Sequence, residues 1–293
     1  MKLSIIGSGH WGSILISKFN ELLPEGIHLV YGHQNIDYFH EEGISFTEDI
    51  GKLMDESDAV VIASPPESHF SLAYMALENN CHVWVEKPMC LNSVDAYKLV
   101  KLANKRKKLL FVDHQLCYAD IVTSLEMGSH EQLIEVAGIF KKKYSAEKTL
   151  NSAWNLGIHL VALAVYLDFP LSKFTLITSD TAPVNIRAFK VRYANGFSAK
   201  WDLLKNKEDL VMAACKAFLE GMTYDEPYAA TNGEHGLEVI RTMEWLLADW
   251  SQTVETDGEQ MVLPVFCRLG GRNSCIEEIR DFGSSPNTSY IKS

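Results

Sequence analysis

The chain is short of positive charge. Its 27 Lys and Arg are outnumbered by 38 Asp and Glu, which leaves a formal net charge of −11 at pH 7. Nucleic acid and anionic membrane both require a basic footprint, so neither is expected as a partner. Two small basic runs, 105–108 and 141–143, read as a solvated helix end and a strand edge. Cysteine is scattered. The six stand at 81, 90, 117, 215, 267 and 275, without a CxxC pair or a zinc-like His/Cys spacing, so no metal site is expected. In a chain of 293 residues they are expected to be free thiols. No run of 18 apolar residues occurs, so no transmembrane helix is expected. The opening "MKLSIIGSGHWGS" lacks the long apolar stretch and small-residue cleavage site of a secretory leader. Together these absences lead to the expectation of a cytoplasmic, soluble protein.

What is present is alternation. Short apolar runs at 2–7, 27–32, 58–64, 82–86 and 109–113 are separated by helical patterns at 12–23, 67–80 and 93–107. In the last two, apolar residues recur at i, i+3 and i+4, as on one buried helix face. Asn92 and Ser93 are candidate caps for the third. Strands that are apolar throughout, alternating with helices, imply a parallel sheet covered on both faces. The fold class expected over 1–115 is therefore a Rossmann-type, doubly wound α/β domain.

After residue 115 the texture changes. Strands are expected at 133–144, 174–178, 185–194 and 196–204, the last two joined as a hairpin through Asn195-Gly196. Helices are expected at 151–167, about 208–222 and 233–250. Segregated strands and helices suggest an α+β domain over 116–293, with a mostly antiparallel open sheet. The tail after about 280 is expected to lack order.

Gly7-Ser8-Gly9-His10-Trp11-Gly12 fits GxGxxG, following a strand and opening a helix. In such a loop the first glycine permits the turn, the second admits the pyrophosphate, and the third allows close helix–strand packing. The helix N-terminus offers free N–H groups to the phosphates, which puts His10 and Trp11 beside the ligand. An acid that would hold the ribose 2′-hydroxyl is missing. Gly32, His33, Gln34 and Asn35 occupy its place, His33 being the candidate contact, and both NAD and NADP remain open.

Further along, a strand ends in Ser64-Pro65-Pro66, His69 follows, and the next strand ends in Glu86-Lys87-Pro88. With the glycine loop these three ordered motifs resemble the glucose–fructose oxidoreductase / inositol dehydrogenase (Gfo/Idh/MocA) family of NAD(P)-dependent oxidoreductases. The segment 232–247 is similar to that family's late helix. The resemblance implies cofactor contacts at Ser64, Pro65, Pro66, His69, Glu86 and Lys87. It implies that Lys87 also meets the reacting hydroxyl of a sugar-like substrate. The family's catalytic helix has Asp-x-x-x-His, with a second Asp three residues after the His. Here His159 matches, Asn155 stands for the first Asp and Ala162 for the second. Asn155 can orient a hydroxyl but cannot take its proton, so proton transfer would fall to Lys87 or His159. Gln115, Tyr118 and Trp154 are candidate substrate contacts. The resemblance also implies a homodimer or homotetramer. The two missing carboxylates favour an alternative, a non-catalytic NAD(P)-binding sensor of the same fold.

Overall fold

A computed structural model describes residues 1–248 with interruptions, the longest at 123–132 and 144–152, and two strands at 253–256 and 259–262. The chain divides into two compact units: 1–118 with 209–241, and 119–208 with 242–293. Sequence reading had placed everything after residue 115 together. The tail after 280 and His33 lie outside the described residues.

In the first unit six parallel strands form one sheet: β1 (Leu3–Ile6), β2 (Leu29–Tyr31), β3 (Phe46–Thr47), β4 (Ala59–Ile62), β5 (His82–Val85) and β6 (Leu110–Val112). Their order is β3-β2-β1-β4-β5-β6, the doubly wound arrangement expected from the alternation. Every residue of β1 and β4 is buried, as covering on both faces requires. Helix α1 (His10–Leu22) turns Gly12, Leu15, Ile16 and Phe19 inward, at helical spacing. Helices α2 (Ile36–Glu41) and α3 (Ile50–Glu56), with β3 between them, were not expected. A six-residue helix, a two-residue strand and a seven-residue helix are too short to show a period. Helix α4 (His69–Glu78) follows a short 3-10 turn at Pro66–Ser68. Helix α5 (Ser93–Arg106) is capped by Asn92, whose side chain accepts the Asp95 N–H at 2.8 Å, and it ends at a left-handed Lys107.

The later helix α7 (Leu210–Gly221) belongs to this unit. Its Phe218 completes an aromatic core, edge-on to Trp84 at 5.7 Å and to Phe111 at 5.5 Å, while Trp84 stacks on Phe111 at 4.5 Å. Residues 231 and 232 then lie along the open edge of β6. The Thr231 carbonyl accepts the Val112 N–H at 2.8 Å, and Asn232 bridges to Phe111. Asn232 also accepts the N–H groups of Glu234 and His235, which starts helix α8 (Gly233–Leu247).

The second unit holds β7 (Leu133–Lys143), β8 (Phe174–Ala182), β9 (Ile186–Tyr193), β10 (Ser198–Asp202), β11 (Thr253–Thr256) and β12 (Glu259–Val262), in the order β10-β9-β7-β8-β12-β11. Pairing is antiparallel except between β7 and β8, the mostly antiparallel open sheet that was expected. The β9–β10 hairpin turns at Asn195-Gly196, with Gly196 at φ +85°. Strands β11 and β12 were not expected from the sequence. The helix expected at 151–167 is corrected in form. It opens with a π turn, Ala153–Gly157, and becomes the α-helix α6 only over Ile158–Tyr166. A side chain on Gly157 would collide with Leu176 and Thr178 of β8, so the bare backbone lets the helix start close to the sheet. Among the described residues no helix is long and apolar enough to cross a membrane.

Candidate nucleotide and proton-transfer site

The parallel register levels four strand ends. The ladder pairs Ile6 with Ile62, Ile62 with Val85, and Val85 with Val112. One step further it continues through backbone bonds: Ala63 N–H to Ile6 C=O at 2.8 Å, Glu86 N–H to Ile62 C=O at 2.9 Å, and Asp113 N–H to Val85 C=O at 3.0 Å. Gly7, Ala63, Glu86 and Asp113 thus form one row along the carboxyl edge. The strand order reverses between β1 and β4, and an open sheet of this kind binds its ligand in the crevice at such a point.

The three glycines of the loop do different work. Gly7 has φ +110°, and a side chain there would meet the Ala63 carbonyl. A side chain on Gly12 would run into the Gly7 carbonyl. Gly9 is different, because its missing Cβ would touch only Gln34 Oε1 at an ordinary 3.6 Å. Protein packing does not demand glycine at Gly9, whereas a close ligand does. Gly9 is also the N-cap of α1 and makes no side-chain cap bond, and the first turn carries no acid, so this helix start suits an anion. These features fit a dinucleotide pyrophosphate. His10 and Trp11 are exposed at this helix start, with ring centroids 5.8 Å apart. Ser8, buried beneath the loop, accepts the Gln34 N–H on its hydroxyl at 2.9 Å and so ties the end of β2 to the loop.

His69 joins the next two motifs. It is buried, with Nδ1 2.8 Å from the Pro88 carbonyl and Nε2 2.8 Å from the Ser64 carbonyl. A neutral ring donates to one of the two. Burial pushes its pKa down despite both carbonyls, and the Lys87 ammonium adds to the effect. The Ser64 turn is pinned again by the contact of the Ser64 and Ser68 hydroxyls at 2.6 Å. Pro65 is exposed and Pro66 half-buried. The Lys87–Pro88 peptide is cis. Lys87 is half-buried between the buried Glu86 and Pro88.

Behind Lys87 lies a buried titratable cluster that sequence reading did not single out beyond Glu86. Burial first, then the Asp113 charge, holds the Glu86 carboxyl well above the usual range. Burial also raises Asp113, to about 6, against the opposing pull of Glu86 and Lys87. Burial, with His235 and Lys87, keeps His114 neutral, its ring edge-on to that of His235 at 5.2 Å. The available signal was that two neighbouring apolar strands, "HVWVE" and "LLFVD", each close on an acid.

The remaining candidates fall in separate places. The Tyr118 ring stacks on Phe111 at 6.1 Å and its hydroxyl meets that of Thr231 at 2.9 Å. Gln115, half-buried, opens the 3-10 turn Gln115–Tyr118. His159, Asn155 and Trp154 belong to the second unit. His159 is 7% exposed on α6, while Asn155 and Trp154 are half-buried in the π turn. The four-residue α spacing assumed for Asn155 and His159 is therefore replaced by a wider turn, a form of bulge frequent at functional sites. Among the described residues no group of three His, Cys, Asp or Glu is placed to hold a metal ion.

Residues 1–114 match the sequence model of an oxidoreductase family with an NAD-binding Rossmann fold. The chain is 30% identical to glucose-6-phosphate 3-dehydrogenase of Bacillus subtilis over 190 residues, 57% of this chain and 53% of that protein. It therefore spans about half the length of that relative. It is 24% identical to UDP-N-acetylglucosamine 3-dehydrogenase of Acidithiobacillus ferrooxidans over 75% of this chain and 68% of that one. The solved structure of the latter superposes with a TM-score of 0.74 at 18% identity, covering 84% of this chain and 96% of that chain. KijD10 from Actinomadura kijaniata, a 3-ketoreductase solved with NADP, gives 0.68 at 13% identity over 83% and 96% of the two chains. The fold matched by residues 1–114 is an NAD-binding one, which accords with the cradle described above. The match thus falls on residues 1–114, the part of the chain that carries the glycine loop and the Glu86-Lys87-Pro88 end.

Proposed function

We propose that the protein is an NAD(P)-dependent dehydrogenase or ketoreductase acting on a sugar, polyol or related carbonyl compound. The carrying observation is the level row of strand ends, which brings the Gly9 loop, the Ser64 turn and Lys87 to one edge of one sheet. When bound, the dinucleotide supplies a hydride donor or acceptor at its nicotinamide. The chain's own residues do the rest. Gly9 and the start of α1 seat the pyrophosphate. The Ser64-Pro65-Pro66 turn, strapped through His69 to Pro88, fixes the ribose side. Lys87 carries the hydroxyl proton, as base in oxidation and acid in reduction, with His159 as second proton carrier and Asn155 orienting the hydroxyl. A sugar substrate is supported by the two relatives, both sugar 3-dehydrogenases by name. A cytoplasmic homodimer or homotetramer accords with this reading.

The test is titration with NADH and NADPH, read by tryptophan fluorescence, followed by nicotinamide absorbance across a panel of sugars, sugar phosphates and nucleotide sugars. One cofactor binds, one substrate class turns over, and Lys87→Ala lowers kcat by about 10²-fold or more while cofactor still binds. Binding without turnover on any panel member would instead favour the sensor reading. Turnover indifferent to Lys87→Ala would remove Lys87 from the chemistry.

A further inference from the structure

Glu86 and Asp113 stand side by side, one step past the paired residues Val85 and Val112, each held by a backbone bond to the neighbouring strand. They are 6% and 0% exposed. Among the described residues no hydrogen-bond donor reaches Glu86 Oε1 or either oxygen of Asp113. Two ionised carboxylates cannot both be kept dry at this range without donors, so the pair retains a proton. The environment decides where it rests. Glu86 is pushed up the more strongly, so the proton rests on it, and a proton directed from Glu86 at its neighbour favours the ionised form of Asp113. The Lys87 ammonium favours the ionised form of both. Among the described residues, Cys117 and Tyr118 beyond β6 and Cys215 on α7 also face Asp113, His114 follows it in sequence and meets His235 of α8, and His69 faces Lys87 from α4. Burial pushes His69 and His114 down and Cys117, Tyr118 and Cys215 up, so these five are uncharged near neutral pH.

We infer that Glu86 and Asp113 share one proton, and that the single negative charge left on Asp113 is the buried counter-charge of Lys87. Asp113 is a positioning residue. Fully buried, it acts through Lys87, which it strengthens as a proton acceptor by stabilising the ammonium that forms. The consequence for turnover rests on the dehydrogenase reading given above; the charge pairing does not.

The two acids are therefore unequal, and the test uses that inequality. The pH dependence of Lys87 acetylation by trace acetic anhydride, followed by mass spectrometry of the Lys87 peptide, yields its apparent pKa without cofactor or substrate. Asp113→Asn removes the charge and lowers that pKa by about one unit or more. Glu86→Gln replaces a group that is already neutral and moves it by less than about 0.3 unit. An unmoved Lys87 in Asp113→Asn, or equal shifts in both variants, overturns the inference. Should Asp113→Asn not fold, isotope-edited infrared spectra of the wild type decide. A protonated carboxyl band at pH 7, lost in Glu86→Gln, upholds the shared proton, and its absence overturns it. Because labelling needs no turnover, a failed substrate search leaves this result standing, and a failed shift leaves the dehydrogenase reading standing.

Discussion

Gly9 separates ligand binding from folding at the scale of one residue. The first and third glycines of the loop are required by backbone collisions within the protein, and the second is not. Gly9→Ala is expected to change unfolding free energy by less than about 0.5 kcal/mol while weakening NADPH binding by tenfold or more. Gly12→Ala, whose methyl would strike the Gly7 carbonyl, is expected to cost about 1–3 kcal/mol of stability. Urea unfolding and fluorescence titration read the two effects separately; equal loss of stability in both variants would contradict the division of labour. The glycine spacing was legible in sequence, because each glycine stands in for a steric event at a known place in the strand–turn–helix unit. Asp113 and His114 were not, because their role depends on which strand lies next to β5.

Strand ends set the chemistry at the scale of elements. His82 opens β5 and accepts the Leu109 N–H on Nδ1 at 3.1 Å. Burial first, then Lys108, lowers its pKa from 6.5 to about 4. The unfolded chain thus binds a proton through a window in which the folded chain does not. The stability contributed by neutral His82 is whole above pH 6.5 and is lost as pH falls from 6.5 toward 4. The ring is partly exposed, so the loss is discounted to about 1 kcal/mol. His82→Gln keeps an acceptor for Leu109 and does not titrate. Urea unfolding at pH 7 and pH 4.5 is expected to show a smaller acid loss in the variant than in the wild type, and parallel losses would contradict the assignment. The long elements of this fold were readable because their apolar residues repeat. The pieces α2, β3 and α3 were not, being shorter than one period of either pattern. The π turn before α6 was hidden because "NSAWNLGIHLVALAVYL" is apolar on every side and carries no mark of where the helix widens.

For the whole molecule, chain order and spatial grouping part company. Helix α7 reads as an ordinary amphipathic segment, yet its Phe218 packs edge-on against both Trp84 and Phe111 in the first unit. An apolar face declares that it must be buried and does not declare against what. The parallel sheet declared itself more fully, since continuous apolar strands separated by helices admit few topologies. The proposed function rests on that sheet's carboxyl edge serving as a dinucleotide seat that ends at Lys87. A crystal structure with NAD or NADP bound, whichever the titration selects, tests it most directly. The pyrophosphate should lie over Gly9 at the start of α1, with Lys87 Nζ at the nicotinamide ribose. A dinucleotide bound away from that edge, or Lys87 turned from the ring, would contradict it.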